Sequence, residues 1–246
     1  MFTCHINYSE ADPYMQGIPK RVTILREPTA RLESLMSAFP WQREPVMESL
    51  HRFMEDPTRF ENGGTHHSRN QMMRDLGLTL KETSDDVIVK NRINTLSKDL
   101  DLVLITEYFD ESLILMKHVL CWETENILYF AKNQHAHRNE IAPALEGQVR
   151  LWSRADYLLY EHFNATLWDK IREFGPTFYD ELKELREMLL EAHDQCVTST
   201  TTNNAVSQKV KLKGDGKSPF CNNLLRDVSA WFHCIANRQS NIPKEC

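Results

Sequence analysis

No apolar run in this 246-residue chain approaches the ~20 residues a membrane-spanning helix needs, so no such span is expected within it. Met1 is followed by neither a basic n-region nor an apolar h-region, so no signal peptide is expected either. A basic excess is also missing. With 29 Lys and Arg against 35 Asp and Glu, the formal net charge is −6. A general nucleic-acid binder shows a basic stripe, so that class is set aside. An anionic small molecule is still admitted, because phosphate sites are local. Zinc-ligand spacing is absent: His66-His67 and His135/His137 lack Cys or His partners, and no metal is expected. Gly214-Asp215-Gly216-Lys217-Ser218 ends like a P-loop. However, Lys211 stands where G-x-x-x-x-G-K-[ST] needs its first glycine, and no strand is expected before it.

What is present is ordinary for a globular protein, with 41% hydrophobic and 26% charged residues. Four of the six cysteines (Cys196, Cys221, Cys234, Cys246) fall in the last 51 residues, which suits a disulfide-stapled tail of open connectivity. Asn7-Tyr8-Ser9 and Asn164-Ala165-Thr166 are N-glycosylation sequons. The stretch from Thr198 to Pro219, rich in Thr, Asn, Lys and Gly, reads as a mobile linker.

Residues 22–39 carry the strongest local signal. The β-branched run Val22 to Leu25 predicts a strand ending at Arg26. Pro28 suits a first helical position, and Leu32, Leu35, Met36 and Phe39 form one helical stripe opposite Ser34. A strand that feeds a helix through a short turn, with an arginine at its carboxyl end, is where open α/β sheets bind anions. A guanidinium fork matches a phosphate, and a hydroxyl eight residues on can add a bond. On spacing alone a plain strand and surface helix is the favoured reading, since exposed Arg and Ser are common.

A second such unit lies at 101–130. The apolar run Leu102 to Ile105 predicts a buried strand, Glu107 to Asp110 a turn, and Glu111 onward a helix with Leu113, Met116 and Leu120 as its core stripe. Glu107, Tyr108 and Asp110 sit where that strand would open toward a substrate, and carboxylates and aromatic rings suit sugars. Asp110 is equally suited to cap the helix, and Glu111 to its positive N-terminal end. Phe178, Leu182, Leu185 and Leu189 form a later stripe, and Leu224 to Ile235 another.

Three blocks in order carry a family resemblance. Arg26-Glu27-Pro28, Arg31 and Ser34 resemble the 3′-phosphate segment of Golgi carbohydrate sulfotransferases. The stretch LVLITEYFDESL…LCW…YF resembles galactose 3-O-sulfotransferases, the galactosylceramide enzyme among them. Trp152, Asp156, Leu159-Tyr160, Phe163-Asn164, Thr166 and Trp168 follow the same family's W-x-x-x-D-x-x-LY-x-x-FN-x-T-x-W helix. The resemblance runs from about residue 2 to about residue 192.

It implies an α/β P-loop-type sulfotransferase fold with a mostly parallel sheet. It also implies transfer of sulfate from 3′-phosphoadenylyl sulfate (PAPS) to the 3-hydroxyl of galactose on a glycolipid or glycoprotein, in the Golgi lumen on a membrane anchor. By resemblance Arg26 and Ser34 hold the 3′-phosphate. Phe2 to Tyr8 resembles the family's F-C-H-H-x-R-F segment, which makes His5 the matching base, with Cys4 and Asn7 as departures. Nothing before Ile18 matches the family's K-T-x-[KS]-T phosphosulfate loop, so the first strand and that loop are expected to be missing and the chain inactive as it stands. A catalytically dead remnant or interaction module is the alternative. The expected division is a truncated sulfotransferase domain at 1–192, a linker at 193–219 and a helical tail at 220–246.

Overall fold

A computed structural model describes residues 19–38, 45–60, 68–130, 143–203, 207–212 and 218–226. His5, Asn7, Phe39, the two histidine pairs, Trp231, Cys234 and Cys246 lie outside the described residues. The chain divides into two units, Met1–Glu123 with Asn139–Leu182, and Thr124–Arg138 with Lys183–Cys246.

In the first unit, strand β1 (Val22–Leu25) leads into α1 (Pro28–Ala38), followed by α2 (Val46–Glu55), the short α3 (Gln71–Asp75) and α4 (Asp86–Asp99). Strand β2 (Leu102–Ile105), a 3-10 turn (Thr106–Tyr108) and α5 (Phe109–Leu120) come next, then α6 (Pro143–Trp152) and α7 (Arg154–Phe174). Helix α8 (Thr177–Cys196) begins in this unit, where Phe178 and Leu182 are buried. The two strands pair in parallel with Val22 opposite Leu102 and Leu25 opposite Ile105. Both therefore end on one edge, as expected from two strand–turn–helix units. All four β2 residues are buried, and α5 and α7 both pack against that strand. In β1 only Leu25 is fully buried, and Ile24 is 47% exposed. The fold is α/β, mostly helical, with a small parallel sheet.

The core stripe of α1 forms as expected. Leu32 and Met36 are buried with Leu50, Phe53, Leu145, Val149, Trp152 and Tyr157, and Leu35 packs against them. Helix α5 departs from its expected stripe. It buries the whole turn Ser112 to Leu115, while Met116 and Leu120 are only half-buried. The reason lies at its start, where the buried Ser112 hydroxyl accepts from Ile105 N at 3.0 Å and bonds Ile105 O at 3.3 Å, drawing the helix onto the strand end. The W-x-x-x-D run is two helices rather than one, broken at Ser153, whose hydroxyl donates to Ser68 O.

A reciprocal cap fixes α7. Asn70, in the left-handed region at φ 48°, accepts from Ala155 N at 3.0 Å and Asp156 N at 3.3 Å, while its amide donates to Thr83. Asp156 in turn accepts from Met73 N at 2.8 Å and Met72 N at 3.3 Å, at the start of α3. Each side chain satisfies donors that the other helix leaves open at its first turn.

The second unit contains the end of α8, an antiparallel hairpin of β3 (Val197–Asn203) and β4 (Ser207–Leu212), and α9 (Pro219–Leu225). The hairpin occupies part of the stretch read as a linker. It also puts a strand before Gly214, where none was expected. The P-loop reading still fails on Lys211, and the Ser218 hydroxyl accepts from Cys221 N to cap α9. Cys196 and Cys221 form a disulfide inside a cluster with Phe130, Ala192 and Val197. Among the described residues no helix is long and apolar enough to cross a membrane.

Burial of the Asp156 carboxyl raises it to about 6, against the pull of Arg31 and the two backbone donors. A folded value above the unfolded one means stability present below about pH 4 is lost as pH rises through about 6. Asp156→Asn removes that titration. Urea denaturation should show the variant gaining about 3 kcal/mol relative to the parent between pH 4 and pH 7, from a shift of roughly two pH units. A difference that stays flat across this range would contradict the assignment.

Candidate functional site

The parallel pairing brings the turn after β1 against the turn after β2. Leu25 O accepts from the Thr106 hydroxyl at 2.9 Å, and Glu27 N donates to Glu107 Oε1 at 3.1 Å. These two bonds join turns about eighty residues apart in sequence, with Arg26 and Glu107 each following its strand within a short turn.

Glu27 is the centre of this edge. Its Oε2 accepts from Ala30 N at 2.7 Å, capping α1 from the position just before Pro28. Its Oε1 accepts from the Tyr157 hydroxyl at 2.7 Å. Thr29 Oγ1 and Tyr157 Oη lie 2.5 Å apart and are buried. Tyr157 has one proton and gives it to the carboxylate, so the Thr29 hydroxyl must donate to Tyr157. The chain of donors therefore runs from Thr29 through Tyr157 to Glu27. One turn along α7, the Tyr160 hydroxyl donates to Glu107 Oε2 at 3.3 Å. Burial raises the Tyr157 phenol first, with Glu27 adding to it against the bond from Thr29; burial and then Glu107 raise Tyr160. Both are neutral donors at physiological pH.

A cleft of about 370 Å³ opens here, lined by Glu27, Thr29, Glu146, Arg150, Tyr157, Tyr160 and Glu161. The Arg150 guanidinium stands 4.2 Å from the centre of the Tyr157 ring and donates to Glu161 Oε1 at 2.5 Å. The bond to Glu161 is the main reason its charge is held more firmly than usual.

The sequence-predicted residues fall as follows. Arg26 is half-buried just past β1, and Ser34 is half-buried on α1. Glu107 and Tyr108 lie in the 3-10 turn after β2, and the Tyr108 ring packs edge-on against Trp168 at 4.8 Å. Asp110 does not occupy the cap position of α5: Tyr108 does, without a side-chain bond, which leaves Asp110 and Glu111 in the first turn. Asn164 sits half-buried in the middle of α7. Sequence reasoning missed Glu27, Thr29, Tyr157 and Arg150 as cleft residues. Glu27 and Thr29 flank Pro28 inside a motif already singled out, and Tyr157 follows its aspartate, but only the fold joins them. Among the described residues no cluster of His, Cys, Asp and Glu could hold a metal ion.

Glu107 thus braces the two turns from the β2 side. Glu107→Ala leaves Glu27 N and the Tyr160 hydroxyl without their acceptor, and should cost about 1–3 kcal/mol in denaturant unfolding. Unchanged stability would show that the two turns hold each other without it.

The galactose-3-O-sulfotransferase family profile matches residues 4–221. Bovine galactose-3-O-sulfotransferase 3 is 36% identical over 185 residues, 69% of this chain and 43% of the relative. Human galactosylceramide sulfotransferase is 36% identical over 167 residues, 63% of this chain and 39% of the relative. Mouse galactose-3-O-sulfotransferase 3 is 33% identical over 208 residues, 77% of this chain and 48% of the relative. The chain thus spans less than half the length of each of these curated relatives. No solved structure matches it. With a profile match over most of its length and the paired strand–turn–helix units in place, the chain belongs to the galactose-3-O-sulfotransferase family.

Proposed function

We propose that this chain forms part of a PAPS-dependent sulfotransferase that moves sulfate to the 3-hydroxyl of a galactose on a glycolipid or glycoprotein. The observation that carries the reading is the parallel strand pair of a family member with Arg26 at the carboxyl end of β1. Such an edge, followed directly by the first turn of a helix, is a favoured place for phosphate. The donor types fit the group. The Arg26 guanidinium would take two phosphate oxygens in parallel, and the Ser34 hydroxyl a third. PAPS supplies the sulfuryl group, and adenosine 3′,5′-bisphosphate leaves.

The residues around this edge have distinct tasks in the proposed reaction. Arg26 and Ser34 bind and orient the 3′-phosphate. Glu107 acts on position, since its carboxylate is engaged by Glu27 N and Tyr160. Tyr108 and Asp110 face the acceptor in this reading. The galactose hydroxyl must lose a proton as it attacks sulfur in line, and a neutral imidazole near pH 7 suits that step. His5 is the residue proposed for it.

The setting proposed is the lumen of the Golgi, on a membrane-anchored protein. The Cys196–Cys221 disulfide supports an oxidising compartment. Asn7 and Asn164 are the sequons such a chain would offer for glycosylation. In domain terms, residues 1–192 are assigned to the sulfotransferase unit, with 193–219 as connection and 220–246 as tail.

Titration calorimetry with adenosine 3′,5′-bisphosphate tests the phosphate clamp. Arg26→Ala should weaken binding by about 1.5–3 kcal/mol, the scale of a charge-assisted bond. Ser34→Ala should cost about 1 kcal/mol, because a neutral hydroxyl bond is weaker. Unchanged affinity in Arg26→Ala would remove the reading.

A further inference from the structure

The cleft beside Glu27 has a charge that a nucleotide would not choose. Three carboxylates (Glu27, Glu146, Glu161) line it against one guanidinium, Arg150. That guanidinium is already engaged: it bonds Glu161, lies 3.9 Å from Glu146 and covers the Tyr157 ring. The net charge is negative, and a polyphosphate placed here would meet repulsion at short range. The anion-binding features lie elsewhere on the edge, at Arg26.

The cleft's hydrogen-bonding capacity is mostly that of acceptors. The Thr29 proton is committed to Tyr157 and the Tyr157 proton to Glu27, so Thr29 presents lone pairs. The carboxylates of Glu27, Glu146 and Glu161 hold further lone pairs, since each oxygen can accept more than one bond. Such a surface asks for a ligand rich in hydroxyl donors and poor in charge. Tyr160, half-exposed on α7 one turn beyond the buried Tyr157, adds aromatic surface. A galactose ring meets both demands, with hydroxyls at its rim and a C–H face that stacks on aromatic rings. The volume, about 370 Å³, is at the small end of ligand sites and suits one or two sugar rings.

We propose that this cleft, between the β1–α1 turn, α6 and α7, is the subsite for the galactose ring of the acceptor. In it Glu27, Thr29 and Glu161 receive sugar hydroxyls, and Arg150 holds Glu161 in place. The assignment rests on the reading above that the protein serves galactosides. It adds sugar contacts on Glu27 and Thr29 of the β1–α1 turn and on Glu161 of α7 to those proposed on the turn after β2.

The test uses two probes on the same chain. Saturation-transfer NMR with methyl β-D-galactopyranoside should show binding, weakened about tenfold in Glu161→Gln, the effect of losing one charge-assisted bond. Affinity for adenosine 3′,5′-bisphosphate should be unchanged in Glu161→Gln. Galactoside binding that ignores Glu161→Gln, competition between the two probes for one site, or displacement of the galactoside by a primary amine would each overturn the assignment. Galactoside binding that responds to Glu161→Gln in a chain that never binds the nucleotide would uphold the cleft and remove the PAPS reading instead.

Discussion

One carboxylate holds the edge of this sheet together. Glu27 caps α1, receives the Tyr157 proton from α7, and has its own N–H held by Glu107 from the β2 side. Three elements distant in sequence meet on a single residue. A carboxylate suits this task because it accepts several bonds at once and favours the positive end of a helix. An apolar residue there would leave the Tyr157 hydroxyl, half of a buried pair with Thr29, without its carboxylate acceptor. Arg26, next in sequence, takes its position from this anchorage. So does the wall of the cleft.

The position of α7 relies on a second constraint buried deeper. Asn70 and Asp156 each close the first turn of the other's helix, and both are nearly inaccessible to water. Tyr157 directly follows Asp156, so the interlock fixes the rotation of α7 and with it the phase at which Tyr157 and Tyr160 reach the strand ends. Burying a carboxyl costs free energy, visible in the raised titration of Asp156. What it secures is orientation. The same helix covers β2 from one side, which explains how a sheet of two short strands can bury four consecutive apolar residues.

Local physics made the strand–turn–helix units legible. Short β-branched or apolar runs bounded by polar turns gave both strands, and Pro28 gave the start of α1. The shared edge followed from the expectation of parallel pairing. What stayed hidden was what depends on partners far away in sequence. Asp156 finds its donors more than eighty residues upstream, and Tyr157 its acceptor 130 residues upstream. No periodicity encodes such pairs. Helix α5 was misjudged for a related reason: a stripe assumes one buried face, whereas Ser112 binds the end of β2 and draws the full turn into the core. In the same way, Glu107 has the chemistry of a sugar ligand, and only the fold revealed that it also braces Glu27 N and the Tyr160 hydroxyl. The hairpin at 197–212 escaped notice because Thr, Asn and Lys also compose linkers.

The edge carries a guanidinium at Arg26, the proposed phosphate site, beside the acidic, tyrosine-lined cleft at Glu27. In the proposed reading the nucleotide sits on the paired strand ends. Hydrogen exchange of the chain with and without adenosine 3′,5′-bisphosphate tests this most directly. Slowed exchange in peptides spanning 22–36 and 102–112, with little change along α4, is the predicted result. Protection that spares both strand-end peptides would contradict it.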